Sequence, residues 1–273
     1  MTTLAHTIGE RGRRGTSGLG SSTLTITRRA ALRYVRTPQL IVMATLQMSL
    51  FFLIYRYMFG GAIHAGHVAY VDYLVPGFVA TGVLFSGLGA AVATAEDVEQ
   101  GFVDRLRSLP IPRAAVLCAR AIADTAILAL ASAVTVAIAY AVGFRLHGSV
   151  ADGLAAFGLV IAFGFAFEWL FVTMGLLAGN PQGAQGLGMV VFPLAFVSSA
   201  YVPVGTMPGW LQVFAKHQPL TPMVDAVRSL TLGPRAGVEL GHPSSYYVVR
   251  ALVWAGAILA VFAASAIALY RRS

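Results

Sequence analysis

Six apolar runs fill most of this chain and leave only short polar stretches between them. A helix needs about 20 predominantly apolar residues to cross the hydrocarbon of a bilayer. The runs at residues 39–59, 73–95, 114–144, 154–178, 184–202 and 246–270 meet that requirement. In lipid every backbone N–H and C=O must find an internal partner, so such runs are expected as helices. The third run is longer than a crossing needs, which places its first turns in the interface. The second contains Pro76 and several glycines, a content that membrane helices tolerate better than soluble ones. No internal repeat is visible. The fold class is therefore an all-α membrane protein with six transmembrane helices.

Composition agrees: 57% of the residues are hydrophobic and 11% charged, against about 45–50% and 25% in soluble domains. The formal net charge of +8 raises the question of nucleic acid, and the positions of the cations answer it. With the N-terminus cytoplasmic, the inner segments hold Arg11, Arg13, Arg14, Arg28, Arg29, Arg33, Arg36, Arg105, Arg107, Arg113, Arg120, Arg271 and Arg272. That asymmetry fits the positive-inside rule with both termini inside. The cations flank spans and do not form one stripe with stacking aromatics, so no nucleic-acid partner is expected. Residues 1–37 are polar and basic without an apolar core, so no cleavable signal is expected and the first run would serve as its own insertion signal. Cys118 is the single cysteine.

The densest charge lies between runs two and three, in "EDVEQGFVDRLRSLPIPR" (96–113). Phe102, Leu106 and Leu109 share one helical face, and Pro110 and Pro112 end the helix. Two readings fit the pattern alone. One is a solvated loop at the headgroups; the other is a short amphipathic helix offered to a soluble partner's groove.

This stretch resembles the inner loop of bacterial permeases of the type-2 ATP-binding-cassette exporters, in particular the daunorubicin-resistance branch. There the pattern is an acidic pair, a Gly and an "RLRSLP" segment, matched by Glu96, Asp97, Gly101 and Arg105–Pro110. "TPQLIVMATLQMSLFFLIYRYMFGGAI" (37–63) is similar to the family's first span, with Met48 where a Pro is common. "FVSSAYVPVGTMPGWLQVFAKHQPLTPMVDAVRSLTLG" (196–233) is similar to the segment between its last two spans. The resemblance covers residues 27–270. It implies a cytoplasmic coupling helix that docks on a separate ATPase subunit, present in two copies, through Glu96, Asp97, Gly101, Phe102, Arg105, Leu106, Leu109 and Pro110. It also implies a second permease chain, as homodimer or heterodimer, and an interfacial helix before span one, for which "TRRAALRYVRTP" (27–38) is suited. Residues 1–26 then form a disordered cytoplasmic tail and residues 27–273 a single permease domain in the bacterial cytoplasmic membrane, in contact with membrane lipid.

No G-x-x-x-x-G-K-[ST] sequence occurs, and the single lysine, Lys216, lies in "FAKHQ". ATP hydrolysis by this chain alone is thus not expected; ATP and Mg belong to the partner. Neither a nucleophile elbow nor a zinc-spaced Cys/His set is present, so no catalytic residue, metal or bound cofactor is assigned. His64 and His67 near Asp72 are read as loop histidines.

Between runs five and six, Trp210, Leu211, Val213 and Phe214 suggest one short helix. Thr221 can cap a second, with Pro222 at its first position. This region is a folded outer loop or, as the resemblance implies, a pair of short re-entrant helices in the outer leaflet that close the exit, with Trp210, Phe214, Pro219 and Pro222 as the outer gate. Glu168 stands at the middle of run four, where a charge costs about 2.5–3.5 kcal/mol on insertion scales. It and Asp124 are the substrate-path candidates; contact or packing roles also fit them. The expected function is the permease subunit of an exporter for an amphipathic or lipophilic compound: a drug, a natural product or a lipid. The rival is an ATP-independent secondary carrier with Glu168 and Asp124 as proton sites.

Overall fold

The computed structural model describes residues 38–61, 68–101, 113–235 and 240–272. The interfacial helix expected over 27–38, most of the docking segment, His64 and His67 lie outside those residues. Five long helices are present: α1 (Pro38–Phe59), α2 (Tyr70–Glu99), α3 (Arg113–Ala141), α4 (Val150–Ala178) and, last in the chain, α9 (Ser244–Arg272). Between α4 and α9 come α5 (Pro181–Met189), α6 (Pro193–Phe196), α7 (Gly209–His217) and α8 (Leu220–Leu232). No strand occurs among the described residues.

Among the described residues, four helices are long and apolar enough to cross a membrane: α2, α3 from Val116, α4 and α9 to Tyr270. The fifth expected span is not one helix. Pro193 has no N–H for the carbonyl of Met189, and Phe192 takes that carbonyl instead at 3.2 Å. Val190 and Val191 likewise bond three residues back, to Leu187 and Gly188. The helix tightens, restarts for one turn as α6, and ends where the Ser198 hydroxyl bonds the Ala195 carbonyl at 2.6 Å. The broken segment still runs the length of its neighbour. Gly188 lies against Leu88, and Ala200 lies against Gly77.

The helix ends follow local chemistry. Ser149 and Asp152 form a reciprocal capping box at the start of α4, and Gly179 ends that helix in the left-handed conformation. Gly101 does the same beyond α2, at φ 65°. At α8 the expectation was wrong by a residue or two. The helix begins at Leu220, whose N–H is capped by the Gln218 side chain at 3.0 Å. Thr221 instead accepts from the Gln218 amide at 3.1 Å, and Pro222 lies inside the first turn.

Helix α2 is the centre. Of its most apolar stretch 67% is buried, against 17% for α9, so α2 is walled by protein and α9 faces outward. Small residues make this closeness possible, as in membrane interfaces generally. A Cβ on Gly77 would lie 2.0 Å from the Ala200 carbonyl oxygen, whereas one on Gly89 of the same helix meets nothing within 4 Å. Gly77→Ala is therefore expected to destabilise the folded protein by about 1–3 kcal/mol. Gly89→Ala should be neutral or slightly stabilising through helix propensity. Thermal unfolding of the two variants in the same detergent checks the contrast.

Candidate functional site

At one end of the bundle the stretch expected to dock on an ATPase begins, with Glu96 and Asp97 in the last turn of α2. Glu96 is exposed and Asp97 half-buried, and Asp97 is ion-paired with Arg120 on α3. One turn further along α3, Asp124 stands 3.6 Å from the Arg120 Nε. This ladder ties the end of α2 to α3. Phe102, Arg105, Leu106, Leu109 and Pro110 lie outside the described residues.

Deeper in the bundle, Asp124 and Ser86 reach the wall of a cavity of about 270 Å³ between α1, α2 and α3. The rest of the wall is mostly apolar, with Met48, Phe51, Phe78 and Phe85 prominent. Glu168 lies behind it on α4, 1% exposed. It accepts from the Ser86 hydroxyl at 3.0 Å, and its second oxygen is buried without a hydrogen-bond partner among the described residues. Its charged neighbours are Asp124 and Arg120. The two acids singled out in the sequence are thus brought into one network, with Ser86 as the link to the cavity. What the arrangement can do is hold a cation or a hydrogen-bond donor against an aromatic wall.

The other end is held by Arg228 of α8, which is 1% exposed. Its Nε and Nη2 donate to the Tyr73 carbonyl at 3.2 and 3.1 Å. Nη2 also donates to the Ser199 carbonyl at 2.7 Å, and Nη1 donates to Asp225 at 3.2 Å. The guanidinium lies 3.6 Å from the centre of the Tyr73 ring. The Ser199 hydroxyl adds a bond to Asp225 at 2.6 Å. The four residues expected to form an outer gate differ in exposure. Trp210 and Phe214 on α7 are 75% and 50% exposed, while Pro219 is half-buried and Pro222 buried.

The broken segment, the charged ladder at the docking end and the short helices before the last span stand together in one chain. The family model described as ABC-2 type transporter matches residues 21–232. The chain belongs to that family. It is 30% identical over 264 residues to the daunorubicin resistance ABC transporter permease protein of Streptomyces coeruleorubidus, covering 96% of this chain and 90% of the relative. It is 25% identical over 258 residues to the probable doxorubicin resistance ABC transporter permease protein of Mycobacterium tuberculosis, covering 93% and 89%. The family and the apolar helices make this ABC-2 permease an integral membrane protein.

Three residues of this permease escape a reading of the sequence: Ser86, Arg120 and Arg228. Ser86 carries no local signal. Arg120 passes for one more cation at a membrane edge. Arg228 does leave a trace, because Asp225 precedes it by one turn in a helix otherwise apolar at Val224 and Val227. Replacing Arg228 by Met strands the Asp225 charge and removes the donor to two buried carbonyls. Breaking a buried pair on one side costs about 3–5 kcal/mol, so Arg228→Met is expected to lose most of the folded yield. Arg228→Met with Asp225→Asn should recover part of it, measured as monodisperse protein after extraction. Unchanged stability of the single variant contradicts the role of this clamp.

Proposed function

We propose that this chain is the membrane subunit of an exporter driven by a separate ATPase chain in two copies. It moves an amphipathic or lipophilic compound (a drug, a natural product or a lipid) out across the bacterial cytoplasmic membrane. The names of the daunorubicin and doxorubicin resistance relatives support that cargo class. The observation that carries the reading is the Asp97–Arg120 pair at the root of the family's docking segment. It is complemented by Asp124 one turn along α3, at the wall of the aromatic cavity. ATP binding draws the two docked segments together; Arg120 passes the pull to α3, and the cavity wall moves with it. Glu168 and Asp124 act on the cargo path, and α7 and α8 close the outer exit. The permease works with a second permease chain, its own copy or a homologue, and both termini are cytoplasmic.

Orientation is checked by cysteine labelling in a Cys118→Ser background. Positions 149 and 237 are expected to react from outside, and positions 17 and 108 only from inside. Outside labelling at 108 removes the docking reading.

Coupling is checked by co-purification with the ATPase and cargo-stimulated ATP hydrolysis. Phe102, Leu106 and Leu109 are proposed to fill an apolar groove. Truncating a central anchor of such a contact costs about 2 kcal/mol or more. Leu106→Ala is thus expected to weaken association and abolish transport without disturbing insertion, while Arg105→Ala has a milder effect. Transport that persists without any ATPase would assign the chain to the secondary carriers instead.

A further inference from the structure

We propose that the cavity between α2, α3, α4 and α8 holds one acyl chain of a membrane phospholipid, whose phosphate is taken by Arg145 at the cavity mouth. The cavity measures about 370 Å³, at the low end of the range of about 300–1,000 Å³ for ligand pockets. Its walls come from Val79 on α2, Val136 on α3, Phe157 and Val160 on α4, and Val227 on α8. No charged residue lines it. The Thr231 hydroxyl in its wall is already spent on the Arg228 carbonyl at 3.0 Å. The other side-chain hydroxyl of the wall belongs to Tyr140, which is 40% exposed. A bound water needs two to four polar partners, more than this wall offers, so the cavity suits an apolar ligand.

The mouth says what kind of apolar ligand. Val150 and Leu154 on the rim are 75% and 69% exposed, and no charged side chain separates the cavity from the hydrocarbon there. From Val150 to Val160 the lining follows α4 for ten residues, about 15 Å. A chain entering at the α3–α4 junction would lie along the helices, as lipid tails do. Arg145 follows Phe144 of the lining directly, just beyond the end of α3. Its backbone N–H is held by Asp72 at 2.9 Å, and its Nη1 donates to the Tyr140 and Phe144 carbonyls at 3.1 and 2.9 Å. The guanidinium is thereby fixed at the end of α3. Its Nε and Nη2 take no acceptor among the described residues, which leaves donors for phosphate oxygens. His147 is already engaged, with Nδ1 at 2.7 Å from the Arg145 carbonyl and Nε2 at 3.6 Å from Asp72. A tail-sized dry cavity with a fixed cation at its rim matches a phospholipid and not a free anion.

The test uses the full chain in nanodiscs of phosphatidylethanolamine and phosphatidylglycerol. These contain a trace of phosphatidylglycerol with a photoactivatable diazirine in its acyl chain, and adducts are mapped by mass spectrometry. Adducts are expected to concentrate on the cavity residues Val136, Phe157 and Val160 over the exposed Leu46 and Leu50 of α1. Ala133→Phe, at an exposed position of the rim, fills the cavity and should cut labelling there about tenfold, what roughly two displaced methylenes are worth. Arg145→Gln should lower cavity labelling and Arg145→Lys restore much of it, with thermal stability followed in parallel. Labelling spread evenly over α1 and α4 overturns the proposal, as does labelling insensitive to Ala133→Phe. Equal labelling by a photoreactive alkane without a headgroup overturns the phosphate assignment. Crosslinking of Leu154→Cys chains to each other would assign this face to a second permease copy and overturn it too.

Discussion

A guanidinium taken out of water must be surrounded by acceptors, and at Arg228 the acceptors come from three separate parts of the chain. Tyr73 lies in the turn of α2 that Pro76 weakens, Ser199 in the break after α6, and Asp225 on α8 itself. Irregular backbone at membrane depth is tolerated only where it is buried in protein, and here the protein that buries it is one arginine side chain. Nε and Nη2 satisfy the Tyr73 and Ser199 carbonyls, the second of them in the broken segment, while Nη1 pairs with the Asp225 carboxylate. The close approach of Gly77 to Ala200 follows from the same clamp, because no side chain intervenes where the two backbones are drawn together.

The two ends of α2 are held very differently. Near Tyr73 the contacts are buried and charge-assisted, the kind whose one-sided loss is expensive. Near Asp97 the pair with Arg120 is partly exposed, at 31% and 23%, and such pairs are worth roughly 1 kcal/mol or less. A 30-residue helix spans about 45 Å, so a small displacement at the loosely held end is carried along a stiff rod toward a fixed one. That gradient of stability is what the proposed coupling reading requires: one end of α2 that yields and one that stays fixed.

How much of this could be read beforehand depended on whether the signal was local. Apolar runs set the all-helical class and the positions of α2, α3, α4 and α9, because membrane insertion is decided by about 20 consecutive residues. The short helix at Trp210–Phe214 was equally visible. The fifth run failed as a single helix because Pro193 and its bonding shift outweigh its hydropathy, and hydropathy is blind to a missing N–H. Thr221 looked like a cap, but the Gln218 side chain reached the Leu220 N–H first. Glu168 announced itself by sitting amid apolar residues, whereas its partner Ser86, 82 positions away, could be found only in three dimensions. The resemblance groups Trp210 and Pro222 in one gate; the fold exposes one and buries the other.

Two cavities of similar size divide this permease by the polarity of their walls. The one between α1, α2 and α3 carries Asp124 and Ser86 and backs onto Glu168. A purely apolar tail there would lie against polar wall groups without engaging them, whereas a ligand with a donor group could bond to them. The one between α2, α3, α4 and α8 has its single buried hydroxyl already bonded, so a polar ligand would be desolvated there for nothing. On the proposed reading, tails suit the second cavity and amphipathic compounds the first. Discrimination between lipid and cargo, on that same reading, rests on the placement of three oxygen-bearing side chains on one side of α2 and a mostly apolar wall on the other.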